Sequence, residues 1–183
     1  MNRSIGVTLN VLGLYGIALV LVAAFAAQIV LNELPCPLCL LQRVLFSLLA
    51  VGPILNIRFG SRPGHYALSL LAAVAGAVVS ARQILLHIMP RDPGYGSALL
   101  GYHYYTWAFV GFAAAIALIA IVLLFDDRLP EMAAARPAGP FAHGAVLLVI
   151  GLTAINVIST LLECGFGACA DNPTFYELLR RLA

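Results

Sequence analysis

Five apolar runs dominate the chain, at about residues 11–31, 40–57, 66–88, 105–125 and 141–162. Each is close to the roughly 20 helical residues that cross a hydrocarbon core about 30 Å thick. Leu, Ala, Val and Ile continue around the whole circumference of each run, without the polar face of a surface helix. Lipid cannot satisfy a free backbone N–H or C=O, so segments of this kind are helices. With 62% of the 183 residues hydrophobic and 10% charged, too little polar sequence remains to cover a soluble domain. The expected fold is therefore all-α. It is an integral membrane helical bundle of five transmembrane helices, one membrane domain over residues 1–183, with a tail from residue 163. The second run is the shortest and carries Pro53, which predicts a kink or tilt.

The first run also invites reading as a secretory signal, since Ala24-Phe25-Ala26 loosely fits a small-residue cleavage site. It exceeds a normal signal core and only Arg3 precedes it, so a retained span is expected. All ten basic residues are arginine, and no cluster of them suggests nucleic acid. Placing the N-terminus in the cytoplasm puts Arg3, Arg58, Arg62, Arg128 and Arg136 inside. Arg91, Arg180 and Arg181 then lie outside, a modest bias that agrees with the positive-inside rule. Tyr102, Tyr104, Tyr105 and Trp107 gather at one boundary, as interfacial aromatics do. His65 and His143 fall on the cytoplasmic side.

An odd number of spans brings both cysteine pairs to one side. Cys36 and Cys39 end the first connector, and Cys164 and Cys169 follow the fifth run. In this orientation both face the periplasm, where disulfides persist. Cys36-Pro37-Leu38-Cys39 can close a redox-active disulfide, and a helix start favours the thiolate through free N–H groups and the dipole. As a staple it would close almost no loop and gain little, and Leu40 stands where a haem attachment motif needs histidine. Arg43, four residues on, lies on the same helix face about one turn deeper. It can stabilise a thiolate at Cys39 and donate to a quinone carbonyl, or it can snorkel to the headgroups. Gln42 reads as a residue bonding a neighbouring helix.

The run Pro35-Cys36-Pro37-Leu38-Cys39-Leu40-Leu41-Gln42-Arg43 resembles the disulfide bond formation protein B (DsbB) family, over roughly the first four spans. The resemblance implies a bacterial inner-membrane thiol oxidase that takes electrons from a periplasmic thioredoxin-fold oxidase (DsbA-like) and passes them to quinone, ubiquinone or menaquinone. It implies that Cys36 exchanges with the second pair and that Cys39 faces the quinone beside Arg43. Ala81-Arg82-Gln83 followed by His87 is similar to the end of the family's third helix, which makes Arg82 and His87 quinone-site candidates. Each also has a plainer reading: Arg82 paired with Glu33 or a carbonyl, and His87 bonded to backbone. Better-known members have four spans and carry the second pair between the third and fourth. Here the Met89–Tyr104 loop lacks cysteine, and the pair follows a fifth span.

In the tail, Gly165 and Gly167 allow a tight bend between Cys164 and Cys169. Asn172-Pro173 reads as the N-cap and first position of a short helix lying on the membrane, with Phe175, Leu178, Leu179 and Leu182 on its apolar side. A mobile tail disulfide could visit both a soluble partner and Cys36; a static bridge is the alternative. The catalytic set expected is therefore Cys36, Cys39, Cys164 and Cys169, in a protein-dithiol:quinone oxidoreductase with no metal. Two rivals stay open: a vitamin K reductase-like relay running in the opposite direction, and a non-enzymatic protein holding metal on four cysteines.

Overall fold

The computed structural model describes residues 3–125 and 139–182. Arg128, Arg136 and most of the expected Asp126–Pro140 connector lie outside these. The chain is an all-α integral membrane bundle. Its elements are α1 (Arg3–Val30), α2 (Pro37–Leu49), α3 (Val51–Phe59), α4 (Pro63–Leu86), β1 (Ala98–Leu99), β2 (Tyr102–His103), α5 (Tyr104–Leu124), α6 (Pro140–Cys164) and α7 (Glu177–Leu182). Five helical stretches are long and apolar enough to cross a membrane: Gly6–Val30, Pro37–Phe59, Pro63–Leu86, Tyr104–Leu124 and Pro140–Cys164. Three of these begin with proline at the first helical turn, Pro37, Pro63 and Pro140. Proline there forfeits an N–H that would have no helical acceptor anyway.

The expected break in the second span falls at Ala50, between α2 and α3. Pro53 has no N–H to offer the Leu49 carbonyl four residues back. The Ser69 hydroxyl of α4 donates to that carbonyl at 2.8 Å instead. A Cβ at Gly52 would overlap Ser69 Oγ and the His65 carbonyl, so only glycine lets the two helices approach this closely. At Gly76 of α4 a Cβ would enter the Phe112 ring of α5, and Phe112 itself stacks on Phe46 of α2 at 4.0 Å. These rings join Leu14, Leu21, Phe25 and Val149 in one buried core shared by α1, α2, α4, α5 and α6. Large side chains on the outer faces, among them Leu19, Leu71, Leu118 and Leu147, are exposed on what is the lipid side of a membrane bundle.

One end of the bundle is closed by Asn10, Asn56, His65 and Tyr66. Asn56 Nδ2 donates to Asn10 Oδ1 at 3.0 Å, and Asn56 Oδ1 accepts the Arg62 N–H and meets His65 Nδ1. The other end carries both cysteine pairs. There the Met89–Tyr104 connector forms a hairpin that apolar periodicity did not foretell. Ala98 pairs with His103 and Leu99 with Tyr102, across Leu100 and Gly101, both at positive φ (55° and 83°). Two such central residues are what a two-residue hairpin turn requires. The hairpin loop is tied to the α1–α2 connector: Ser97 donates through its N–H and hydroxyl to Glu33, and the Tyr95 hydroxyl donates to the Leu34 carbonyl at 2.7 Å.

The tail corrects one expectation. Asn172-Pro173 does not start a helix; α7 begins at Glu177. Glu177 occupies the first turn, where an anion suits the helix dipole, and binds Arg180 and Arg181. Phe175 lies before the helix, with the Arg180 guanidinium 4.3 Å above its ring centre.

Candidate functional site

Both expected pairs are disulfides, Cys36–Cys39 with Cα atoms 5.0 Å apart and Cys164–Cys169 with Cα atoms 4.6 Å apart. The first is fixed by the start of α2. Because Pro37 opens the helix, the cap position belongs to Cys36, whose sulfur accepts the Cys39 backbone N–H at 3.1 Å. From α4, Gln83 Nε2 reaches Cys36 Sγ at 3.2 Å and Cys39 Sγ at 3.4 Å. The Gln83 oxygen is held by Gln42 Nε2 at 2.8 Å, which leaves the amide N–H groups facing the sulfurs. Donors of this kind favour a thiolate over a thiol. The helix-start effect thus falls on Cys36 in this geometry, and Cys36 is buried.

Cys39 faces the other way, into an apolar cavity of about 230 Å³ between α1, α2, α5 and the hairpin loop. Its polar lining includes Gln28, Glu33, Gln42, Arg43 and Tyr95. An apolar cavity of about 150 Å³ admits benzene, so a substituted ring has room here. Arg43 is buried and turned inward, which disposes of the snorkelling alternative. Its Nη1 donates to Gln28 Oε1 at 2.7 Å and its Nη2 to the Ala24 carbonyl at 2.9 Å, with the guanidinium 5.0 Å from the Phe25 ring centre. Gln28 Nε2 in turn meets Ser159 Oγ at 2.9 Å and Tyr176 Oη at 3.0 Å. A continuous line of hydrogen bonds therefore runs from the helix bearing Cys39, through α1, to α6 and the tail.

Burial, with the carboxylates Glu163 and Glu33 nearby, pushes the Tyr95 hydroxyl up to about 12. It remains a neutral donor to Leu34 through the physiological range. His87 does not line the cavity. Its Nδ1 lies 3.0 Å from Asp92 Oδ1 and its ring stacks on Tyr105 at 5.6 Å; His103 stacks on Tyr105 at 5.3 Å. Tyr105 is a cavity wall, so His87 touches the site only through that ring. The Gly94 N–H and His87 hold the Asp92 carboxyl below its ordinary value. Arg82 does not join them: it is exposed and absent from the cavity lining, and Glu33 is occupied by Ser97. Its neighbour Gln83 takes the inward position.

The tail disulfide closes where α6 ends. Cys164 is buried and Cys169 half-buried, and Gly165 between them takes φ 64°, a conformation suited to glycine. Next to Cys164, Glu163 is 4% exposed and neither carboxyl oxygen has a hydrogen-bond partner. Sequence reasoning passed over Gln28, Gln83 and Glu163. The signal available was a polar residue late in an otherwise apolar span, but its partner could not be named. Among the described residues, no three His, Cys, Asp or Glu side chains converge as metal ligands would.

The family model for disulfide bond formation protein DsbB matches residues 7–97. That covers the first cysteine pair, Arg43 and Gln83, over three spans and not the four of the sequence resemblance; α5, α6 and the tail pair fall beyond it. Proteins named disulfide bond formation protein B are similar over the same part. That of Chromobacterium violaceum is 41% identical over 75 residues, 38% of this chain and 44% of the relative. That of Xanthomonas axonopodis pv. citri is 36% identical over 86 residues, 44% and 50%. That of Burkholderia thailandensis is 40% identical over 85 residues, 45% and 50%. The chain thus spans about half the length of these relatives. No solved structure matches it significantly. On the match through residues 7–97, with its cysteine pair at the start of a spanning helix, the chain belongs to the disulfide bond formation protein DsbB family.

Proposed function

We propose that this chain is a membrane protein-dithiol:quinone oxidoreductase, forming disulfides in a periplasmic thioredoxin-fold partner of the DsbA kind. The observation that carries the reading is the pairing of Cys39 with Arg43 on the wall of one apolar cavity, at the bundle end that also holds the second disulfide. The cavity suits a quinone ring: its walls are largely apolar, while Arg43, Gln28 and Gln42 bring N–H donors to it. When bound, quinone supplies the oxidising power as a two-electron acceptor.

The partner's thiolate attacks the Cys164–Cys169 disulfide and forms a mixed disulfide. Its second thiolate displaces the tail, leaving the partner oxidised and the tail pair reduced. A tail thiolate then attacks Cys36, Cys39 leaves as thiolate, and the second tail thiolate displaces Cys36 and re-forms the tail disulfide. Gln83 and Arg43 favour the Cys39 thiolate that leaves first, and Gln83 with the α2 N-terminus favours the Cys36 thiolate that leaves second. Tyr105 lines the cavity with His87 stacked on its ring, and Arg82 is exposed outside it.

In this reading residues 1–183 form one domain of the bacterial inner membrane, with the cysteine end periplasmic and both Arg58 and Arg62 cytoplasmic. The short α7 lies along the outer surface, with Arg180 and Arg181 toward headgroups. The test is anaerobic mixing of the protein with a reduced thioredoxin-fold oxidase and a water-soluble quinone, following quinone absorbance. Loss of absorbance stoichiometric with partner disulfide is expected. Partner oxidation without quinone loss, or stoichiometric zinc with four protected thiols, would sink the reading.

A further inference from the structure

Glu163 is the penultimate residue of α6 and the neighbour of Cys164. It is 4% exposed and its carboxyl oxygens lack partners, whereas the Thr160 hydroxyl one turn back donates to the Asn156 carbonyl. A buried carboxyl without hydrogen bonds costs stability, so its presence asks for a use beyond holding the fold. The groups facing it come from separate elements. Arg43 of α2 acts on it across the interior, Tyr95 approaches from the hairpin loop, and Tyr176 enters from the tail through Arg43 and Gln28. The outer half of α1, which packs on α6, has no titratable side chain. The charges of α7 bind each other.

We propose that Glu163 donates a proton to the Cys164 sulfur and takes it back, and thereby governs exchange at the tail disulfide. The inference rests on the redox role of the tail pair proposed above. Cys169 is the more exposed sulfur, so the incoming thiolate forms its bond there. The bond between the two tail sulfurs breaks and its electron pair stays on Cys164. Left as a thiolate, Cys164 would be a buried anion; the Glu163 carboxylic acid gives it a proton and becomes a carboxylate on which the Arg43 charge acts. The partner's second thiolate closes the partner disulfide and releases Cys169 as thiolate. When the Cys164 sulfur attacks Cys36, the carboxylate recovers the proton and the Cys36–Cys39 bond breaks with its electron pair on Cys39; the Cys169 thiolate then displaces Cys36 and re-forms the tail disulfide. Protons and electrons balance, and Glu163 ends as it began.

The experiment uses the full-length protein with all four cysteines, reduced by dithiothreitol between about pH 6 and pH 9. Aliquots are alkylated and digested, so that mass spectrometry reads Cys164 and Cys169 apart from Cys36 and Cys39. General acids contribute about 10²-fold or more when protonated. Glu163→Gln should therefore be slower at the tail pair by at least about tenfold near pH 6. The two proteins should converge near pH 9, where the wild-type carboxyl has lost its proton. Glu163→Asp should restore part of the low-pH rate and keep the pH dependence, and it carries the test if the glutamine variant fails to fold. Profiles that run parallel, or an aspartate variant with the glutamine profile, would overturn the inference while the redox reading stands. A wild-type tail disulfide that dithiothreitol leaves intact would overturn both.

Discussion

The two disulfides sit at one end of the same bundle and are built in opposite ways. Cys36–Cys39 is held from two directions, by the first turn of α2 and by the Gln42–Gln83 amide pair, next to a connector whose Glu33 is tied to the hairpin loop. Cys164–Cys169 closes a five-residue step at a helix end, with glycines inside it and one sulfur half-exposed. The family match stops before the second pair. A fixed pair beside a cavity suits repeated exchange with a small bound acceptor. A loosely held pair suits a protein partner, whose approach needs clearance. The proposed division of labour between the pairs rests on this difference, and it can be broken experimentally.

The largest effect should come from separating the pairs. Cys164→Ala/Cys169→Ala should abolish oxidation of the protein partner, while a reduced Cys36–Cys39 pair is still oxidised by soluble quinone. Cys36→Ala or Cys39→Ala should do the converse: the tail exchanges once with partner and then stalls. Partner-thiol titration and quinone absorbance, run on both sets, read the two halves independently. Full turnover without the tail cysteines would make that disulfide a static bridge.

Next in size is the amide pair. Gln83→Leu removes both side-chain donors to the sulfurs and strands Gln42. Hydrogen bonds to charged groups are worth about 1.5–3 kcal/mol, so quinone-linked turnover should fall roughly ten- to a hundredfold. Gln42→Leu, which only frees the orientation of Gln83, should cost less. Neither should change the rate of exchange between tail and partner, measured with quinone absent.

How much of this was legible in the sequence follows from what each residue needs. Spans need only length and apolarity, so all five were found, their ends displaced by a few residues because Pro37, Pro63 and Pro140 begin helices instead of preceding them. Cys36, Cys39 and Arg43 share one helix face by local spacing alone. Gln83 is different: it stands 44 residues from Cys39 in sequence, and only the packing of α2 on α4 brings them together. Arg82 was the more conspicuous of the two neighbours because its charge is costly in lipid, yet the helix turns it outward. The hairpin escaped because two-residue strands have too few positions to show an alternation. The start of α7 was misplaced because Asn172-Pro173 has the chemistry of a cap, whereas the helix begins at Glu177, whose carboxylate pairs with Arg180 and Arg181.

Arg43 ranks third. Arg43→Lys retains charge but loses the planar pair of donors that now engage Gln28 and Ala24. Apparent KM for quinone should rise in Arg43→Lys and rise further in Arg43→Ala. The alanine variant should also lose stability, because Gln28 Oε1 is left buried without its donor, at about 1–3 kcal/mol. Measuring quinone kinetics alongside thermal melting separates the two contributions. An unaltered quinone dependence in Arg43→Ala would move the ring-binding site away from this cavity.

The smallest effect belongs to the edge of the fixed region, at Asp92. Its carboxylate accepts the Gly94 N–H at 2.8 Å and meets His87 at 3.0 Å, which pins the start of the loop that lines the same cavity as Cys39. Those contacts, the backbone one first, lower its pKa in the folded protein. A lowered folded value means that the stabilisation is present above the unfolded pKa of about 4 and is lost as pH falls through the folded value. Amide exchange around Gly94, corrected for its intrinsic pH dependence, should therefore accelerate relative to the helices as pH drops below about 4. The tail from Cys164 to Cys169 should show no matching change. Asp92→Asn keeps an acceptor for Gly94 but cannot titrate, so it should erase the pH dependence while leaving the turn formed. Because the group is exposed, the change should be confined to this loop and leave global melting nearly unmoved. Equal acceleration in loop and tail would mean that the two disulfide regions open together, and the contrast between a fixed pair and a loose one would fail.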